Sequence, residues 1–511
     1  MSRTLLELEK KRRAARAMGD PQKLRKLRDS GRLNARERLD LLLDPGSFVE
    51  IGLLGRSQQP ELTARTPADG LIAGSGTIDG RPVYVTSEDA TVLAGTRGRV
   101  AEAKTKRIRD LALRHRHPYL ALTEAGAGRF QENGGALAAD AGYRFFEHFR
   151  LSGRVPQVAA IFGASFGGPS FTAIQSDFVS IVAGNGFMGM SGPPLVKVGL
   201  GKSVTNEEIG SAEKCARHTG QADHLAETER DCLLAIREFL SFFPSNCWEA
   251  PPRLAPAPAP LDEAEGRRKI CELVSENHRR AYDMNRVLPL VVDRGHLLHY
   301  RPLYGANLIT AWGRVRGDSV GFVANNPQHL AGAVDHKAAI KLRKFVDICD
   351  AFHIPLVFLA DCPGFIVGPE IEDRRMISLT GRLLNSVLGA TVPKTTIILR
   401  KAIGLAYIAL GGRATFPEAI YAWPTARFDP MGPAAGVELV HGRAIAQAAD
   451  PDALRAELLA QAEEKASAYR AAEMASIDDV IHPAETREVI ARALDRARAS
   501  CTPAFKHRID P

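Results

Sequence analysis

The sequence predicts an α/β protein made of two copies of one fold. Three observations carry this: short matches recur at one constant spacing, an Ala/Pro-rich stretch divides the chain near its middle, and β-rich apolar runs alternate with helical stretches in each half.

The repeat comes first. Gly76-Thr-Ile-Asp-Gly80-Arg-Pro-Val83 resembles Gly313-Arg-Val-Arg-Gly317-Asp-Ser-Val320, and Leu93-Ala94-Gly95 recurs as Leu330-Ala331-Gly332. Glu124 corresponds to Asp361, Val155-Pro156 to Val392-Pro393, and Gly167 to Gly404, every pair 237 residues apart. One offset kept over so long a stretch without insertion or deletion points to a duplicated domain. A chain of 511 residues is also too long for one ordinary core. The segment from Glu249 to Pro260 reads as a linker, because repeated prolines exclude helix interior and favour extended chain. The expected division is residues 1–248, a linker at 249–265, and residues 266–511. A helical segment leads the first half at about residues 3–43, with Leu5, Leu8, Leu24, Leu27, Leu39 and Leu42 as apolar positions.

In the second half Val320–Ala324 reads as a strand, Ala338–Phe352 as a helix, Pro355–Ala360 as a strand, Ile377–Leu388 as a helix and Thr395–Leu399 as a strand. Continuous apolar strands alternating with helices predict a parallel sheet covered on both faces. Ligands of such sheets lie beyond the carboxyl ends of strands. The segments just after Ile161 and Leu399 are therefore the first places to expect a site.

Composition narrows the function classes. The 45% hydrophobic and 25% charged content is that of a globular protein, and no apolar run approaches membrane-spanning length. The basic N-terminus lacks an apolar signal core, and Glu7, Glu9, Asp20 and Asp29 argue against an organellar leader. Seven scattered cysteines without a C-x-x-C pair fit a reducing compartment and offer no metal site. A cytoplasmic location is expected. The net charge of +8 is concentrated in the first forty residues, and no nucleic-acid motif accompanies it. Solvated helix faces account for most of that charge, and a polyanionic small ligand for the rest.

Two glycine turns stand at equivalent repeat positions. After the strand Val158–Phe162 comes Gly163-Ala-Ser165-Phe-Gly167-Gly168-Pro169; after Thr395–Leu399 comes Arg400-Lys-Ala-Ile-Gly404-Leu405-Ala406-Tyr407. The simpler reading is a tight turn, with Pro169 suited to a helix start. Backbone N–H groups at a helix start are, however, unpaired and backed by the helix dipole, so a pair of them can hold a developing oxyanion. Occurrence at both repeat positions favours the functional reading. Gly163–Gly167 also fits G-x-S-x-G, the nucleophile elbow of serine hydrolases, but that reading leaves the duplication unexplained. Gly199-Leu-Gly201-Lys202-Ser203 fails as a phosphate loop, because position 196 is Val196 where a glycine is required.

Longer stretches carry a family resemblance. Leu33–Phe48, Arg129-Phe-Gln-Glu132, Ser191–Lys197 and Ala222–Ala226 resemble carboxyltransferase (beta) subunits of biotin-dependent acyl-CoA carboxylases. Val323–Ala333, Asp361-Cys-Pro-Gly-Phe365, Thr391–Lys394, Leu399–Ala402 and Tyr421–Thr425 are similar to the same family in the second half. The resemblance implies two tandem crotonase-like domains, six subunits in a ring, and active sites formed where the N-half of one subunit faces the C-half of another. It implies transfer of a carboxyl group from carboxybiotin to the α-carbon of an acyl-CoA, through a thioester enolate held in backbone oxyanion holes. By that resemblance Gly167, Gly168, Leu405 and Ala406 are catalytic. Gly168, Pro169, Arg129, Gly192 and Pro193 bind the acyl-CoA, and Gly404, Leu405, Ala406 and Ile408 bind biotin. The biotin is carried on a partner, so biotin carboxylase and carrier subunits are expected, with no metal, membrane or nucleic acid. The chain departs from the family where Gly-Gly becomes Gly168-Pro169, which lacks an N–H, and where Gly-Ala becomes Leu405-Ala406. Arg374-Arg375 and Ala434 are further departures. They keep open a biotin-independent acyl-CoA decarboxylase or transferase of the same fold, and a non-catalytic scaffold.

Overall fold

The computed structural model describes residues 2–140, 142–258, 263–498 and 502–511. The chain divides into two compact units, Met1–Glu249 with Ala504–Pro511, and Ala250–Pro503.

In the first unit the leading segment is three helices, Arg3–Arg16, Pro21–Asp29 and Ala35–Leu42. The expected single segment is interrupted because Asp20 caps a helix beginning at Pro21, and Asn34 with Glu37 forms a reciprocal capping box. The sheet runs Val49–Glu50, Leu71–Ile78, Arg81–Glu88, Tyr119–Thr123, Gln157–Ile161, Phe178–Val182, His224–Ala226. It is mixed, which corrects the all-parallel expectation. Strands from Arg81–Glu88 onward pair in parallel, whereas Leu71–Ile78 and Arg81–Glu88 form an antiparallel hairpin. Its two-residue turn places Asp79 and Gly80 at φ 50° and 76°, the left-handed geometry that a tight hairpin demands. Leu71, Tyr84, Ile108, Leu111, Tyr119 and Val155 belong to one buried cluster on this sheet. The tail joins this unit through Ser152, whose Oγ accepts from Ile509 N (2.9 Å) and donates to Ile509 O (3.2 Å). The expected assignment of residues 504–511 to the C-terminal half is corrected accordingly.

The second unit repeats the order: Leu297–Tyr300, Leu308–Val315, Asp318–Asn325, Leu356–Cys362, Lys394–Ile403, Ala419–Ala422, Asp479–Val480. Arg316 and Gly317 occupy the corresponding hairpin turn at φ 50° and 84°. The long hairpins, the helices Arg99–His115 and His336–Ala351, and the strands beginning at Gln157 and Lys394 are each separated by 237 residues at their starts. The Ala/Pro segment is no free tether over its described length. Leu254 N donates to Gly317 O (3.0 Å), and Pro252 O accepts from Arg314 Nη1 (2.9 Å), so the extended chain lies along the hairpin of its own unit. Positions 259–262 of that segment lie outside the described residues. Among the described residues no helix is long and apolar enough to cross a membrane.

Candidate functional site

Each sheet ends in a glycine turn at the carboxyl end of an inner strand. In the first unit Gln157–Ile161 leads into the short strand Ala164–Phe166, which pairs in parallel with Phe187–Gly189, and then into the helix Gly168–Ile174. Gly167 takes φ 69°, a conformation that glycine adopts without strain. Its N–H donates to Gly189 O (3.0 Å), which ties the turn to the neighbouring strand and removes Gly167 N–H as a free donor. Ser170 adds a second tie, its Oγ donating to Ser165 O and accepting from Gly189 N. Gly168 begins the helix, where an N–H has no partner within the helix itself. Pro169, the next position, has none to offer. Gly192 and Pro193 start the helix Pro193–Leu200, and a Cβ at Gly192 would press on the Phe166 ring at 3.1 Å. Sequence-distant as they are, these two residues therefore border the turn.

The second turn has the same construction. Lys394–Ile403 pairs in parallel with Arg427–Asp429, Gly404 takes φ 65°, and its N–H donates to Asp429 O (2.9 Å). Leu405 and Ala406 then open the helix Leu405–Ala409 with their N–H groups unpaired inside it. Leu405 is 46% exposed, Ala406 is buried, and Ile408 is partly exposed.

Buried ion pairs stiffen both turns from behind. Arg38 donates to Glu124 (2.7 Å) and Glu229 (2.9 Å), and lies 4.2 Å over the Phe162 ring. Arg32 donates to Glu124 (2.7 Å) and to Phe162 O (2.9 Å), just ahead of Gly163. A side chain at Gly163 would strike the Glu124 carboxylate, so this glycine admits the ion pair. In the second unit Arg400 is fully buried, pairs with Asp361 (2.8 Å), and donates to the carbonyls of Ser275, Asn277 and Arg280. Glu124 and Asp361 were legible as repeat partners; the arginines that face them come from other elements and were not.

Two expectations change at this level. Arg129 is 2% exposed, and its guanidinium donates to Asp69 (2.7 Å), Glu132 (2.6 Å) and Thr96 O (2.8 Å). It braces the loop from inside and is not available to a CoA. Ser165 is buried, with its Oγ directed to Thr123 Oγ1 and Gly163 O, both at 3.3 Å. Among the described residues no histidine is a hydrogen-bond partner of Ser165, so the base that a nucleophilic serine needs is not in place there. One neighbour of the turn was not legible at all: the Arg144 guanidinium, which stands directly off Gly168.

Residues 26–508 match the carboxyl transferase domain family. The chain is 36% identical over 496 residues to the methylmalonyl-CoA decarboxylase subunit alpha of Veillonella parvula, covering 95% of this chain and 94% of that protein. It is 36% identical over 503 residues to the biotin-dependent long chain acyl-coenzyme A carboxylase beta4 subunit of Mycobacterium tuberculosis, with 97% and 94% covered. The hexameric transcarboxylase 12S crystal structure with methylmalonyl-coenzyme A and methylmalonic acid bound superposes with a TM-score of 0.92 at 36% identity, covering 99% of this chain and 98% of that one. With the match spanning both glycine turns, the chain belongs to the carboxyl transferase domain family.

Proposed function

We propose that this chain is the carboxyltransferase subunit of a biotin-dependent acyl-CoA carboxylase or transcarboxylase, built by tandem duplication of a crotonase-like domain. The observation that carries the reading is the pair of strand–glycine–helix turns 237 residues apart, each with its glycine N–H tied to a neighbouring strand, followed by one N–H unpaired within its helix at Gly168 and two at Leu405 and Ala406. In this reading the Gly168 N–H faces the thioester oxygen of an acyl-CoA, whose negative charge grows as the α-proton leaves. The Leu405 and Ala406 N–H groups are the donors for the ureido oxygen of biotin, with the half-exposed Leu405 side chain standing at the approach to them. Biotin on a partner supplies the carboxyl group and accepts the α-proton. What this chain contributes is position and preorganised dipoles, with no protein nucleophile. Gly192 and Pro193 fit the rim of the acyl-CoA side, and Ile408 the biotin side.

Biotin carboxylase and carrier subunits are the partners this reading requires, and a hexamer is its assembly. The test mixes the full chain with a biotinylated carrier, biotin carboxylase, ATP, labelled bicarbonate and a panel of acyl-CoAs. Labelled malonyl-type product that disappears on adding avidin is the expected result. Loss of the carboxyl group from methylmalonyl-CoA by the chain alone, indifferent to avidin, would replace it with a biotin-independent decarboxylase. Acyl-CoA binding without turnover in either assay would leave a scaffold.

A further inference from the structure

We infer that Arg144 is a catalytic residue of the thioester site, its guanidinium donating to the acyl-CoA carbonyl oxygen in place of the N–H that Pro169 lacks. The inference rests on the thioester reading of the Gly168 turn. Its basis is the position of a charged group that the sequence gives no reason to expect there.

Arg144 lies in the first turn of the helix Tyr143–Leu151. Its Nη2 is held by Glu102 on the helix Arg99–His115, which fixes the plane of the guanidinium. The other terminal nitrogen, Nη1, stands off the Cα of Gly168, so that a Cβ added there would fall on it. Among the described residues Nη1 donates to nothing, and the side chain keeps 15% exposure, enough for a ligand atom to reach it. Arg97 stands behind the same carboxylate, with Nη1 3.9 Å from Glu102, and that nitrogen is buried without a hydrogen-bond partner. Two guanidinium groups, each with a terminal nitrogen whose donor capacity is unused among the described residues, thus share one carboxylate beside a turn that is one backbone donor short.

A structural salt bridge needs only Nη2 and Glu102. It does not require the free nitrogen to fill the space off Gly168, at the one turn position where a side chain of any kind would displace it. Burial, helped by the Arg97 charge, pushes the Arg144 guanidinium down to about 10, so it is still a cation at neutral pH. A charged donor is about twice as strong as a neutral one, so Arg144 can more than replace one backbone N–H at a developing oxyanion. Glu102 is then a positioning residue, acting through the arginine.

The experiment uses the full chain and propionyl-CoA carrying carbon-13 at the carbonyl. Difference infrared spectroscopy reads the polarisation of the bound thioester directly, without any carboxylation. The wild-type complex is expected to show a lowered carbonyl stretch, Arg144→Gln to lose most of that lowering, and Pro169→Ala in the Arg144→Gln background to restore it by returning an N–H. In the complete carboxylation assay, Arg144→Gln is expected to lower kcat about 100-fold with little change in KM, and Pro169→Ala to recover about tenfold of the loss. Glu102→Gln should lower kcat less, and should leave Arg144→Gln no worse when combined with it. A carbonyl stretch identical in wild type and Arg144→Gln overturns the assignment, whatever the turnover. So does an effect confined to KM, or a loss that Pro169→Ala does not relieve. If the carbonyl is polarised through Arg144 but no carboxyl group moves with any biotinylated partner, the transferase reading fails while the Arg144 assignment stands.

Discussion

Leu405 is the residue on which the two turns differ most. Both turns begin with a left-handed glycine tied to the next strand, yet the position after it is Gly168 in one and Leu405 in the other. Gly168 leaves space that Arg144 occupies; Leu405 places a half-exposed isobutyl group beside its own N–H donors. Removing that group should open the approach to those donors and leave the other turn untouched. Leu405→Gly is therefore expected to lower KM for the biotinylated carrier several-fold, with acyl-CoA affinity by calorimetry unchanged. A change in acyl-CoA affinity instead would mean that the two turns have been assigned the wrong way round. Arg129 shows the limit of reading at this scale. Its charge and its neighbour Glu132 are evident in the sequence, but the partner that commits it to the interior, Asp69, is sixty positions away.

At the scale of the element, the same helix in each unit carries the same buried cation. Lys104 donates to Ala68 O (3.0 Å) and to Leu71 O, and Lys341 to Gly305 O (2.9 Å) and Arg301 O (3.3 Å). Each lysine pins its helix to the chain that leads into the long hairpin. Burial pushes Lys341 down to about 7 and Lys104 to about 8. The sign comes from linkage. Below the folded pKa both folded and unfolded states hold the proton, and the full cost of burying the cation is present. As pH climbs from about 7 towards the ordinary lysine range, the folded state releases its proton first, so stability rises. Lys341→Met removes that term. Between pH 7 and 9.5 the wild type is expected to gain stability over this variant by on the order of 1 kcal/mol per pH unit at most, read from urea midpoints. Parallel curves would show that Lys341 stays protonated in the fold throughout, as it does in the unfolded chain. The helix breaks at Asp20-Pro21 and at Asn34 with Glu37 were missed by the expected single segment, although the capping chemistry that sets them is local. The Asp79-Gly80 pair also announces a hairpin, yet unbroken apolar runs predict parallel pairing, and alternation is masked where both faces of a strand are buried. Arg144 was illegible for the opposite reason: its relation to Gly168 is purely tertiary, across a helix and two strands.

At the scale of the molecule, the repeated order of elements was legible because its signal is a spacing and does not depend on which residues face which. What a spacing does not reveal is the surface that each unit leaves uncovered. In the first unit the helix Pro193–Leu200 exposes Leu195, Val198 and Leu200 at 66%, 84% and 72%. In the second the helix Pro433–Gln447 exposes Leu439 and Val440 at 70% and 71%. Isolated exposed apolar side chains need no explanation, but several on one helix, directly after each glycine turn and its paired strand, mark surfaces that another protein covers. A second copy of the chain is the occupant we propose, since the transcarboxylase 12S structure, similar over nearly the full length, is a hexamer. Sedimentation should then give a particle of about six times 55.4 kDa. Val198→Asp places a charge on the most exposed of these positions, where it costs the isolated chain almost nothing and an apolar interface a great deal. The variant is expected to sediment as smaller species with an unchanged circular dichroism spectrum, and to lose carboxyl transfer in proportion. A Val198→Asp variant that stays at the wild-type mass would show that this helix is covered by something other than a second copy.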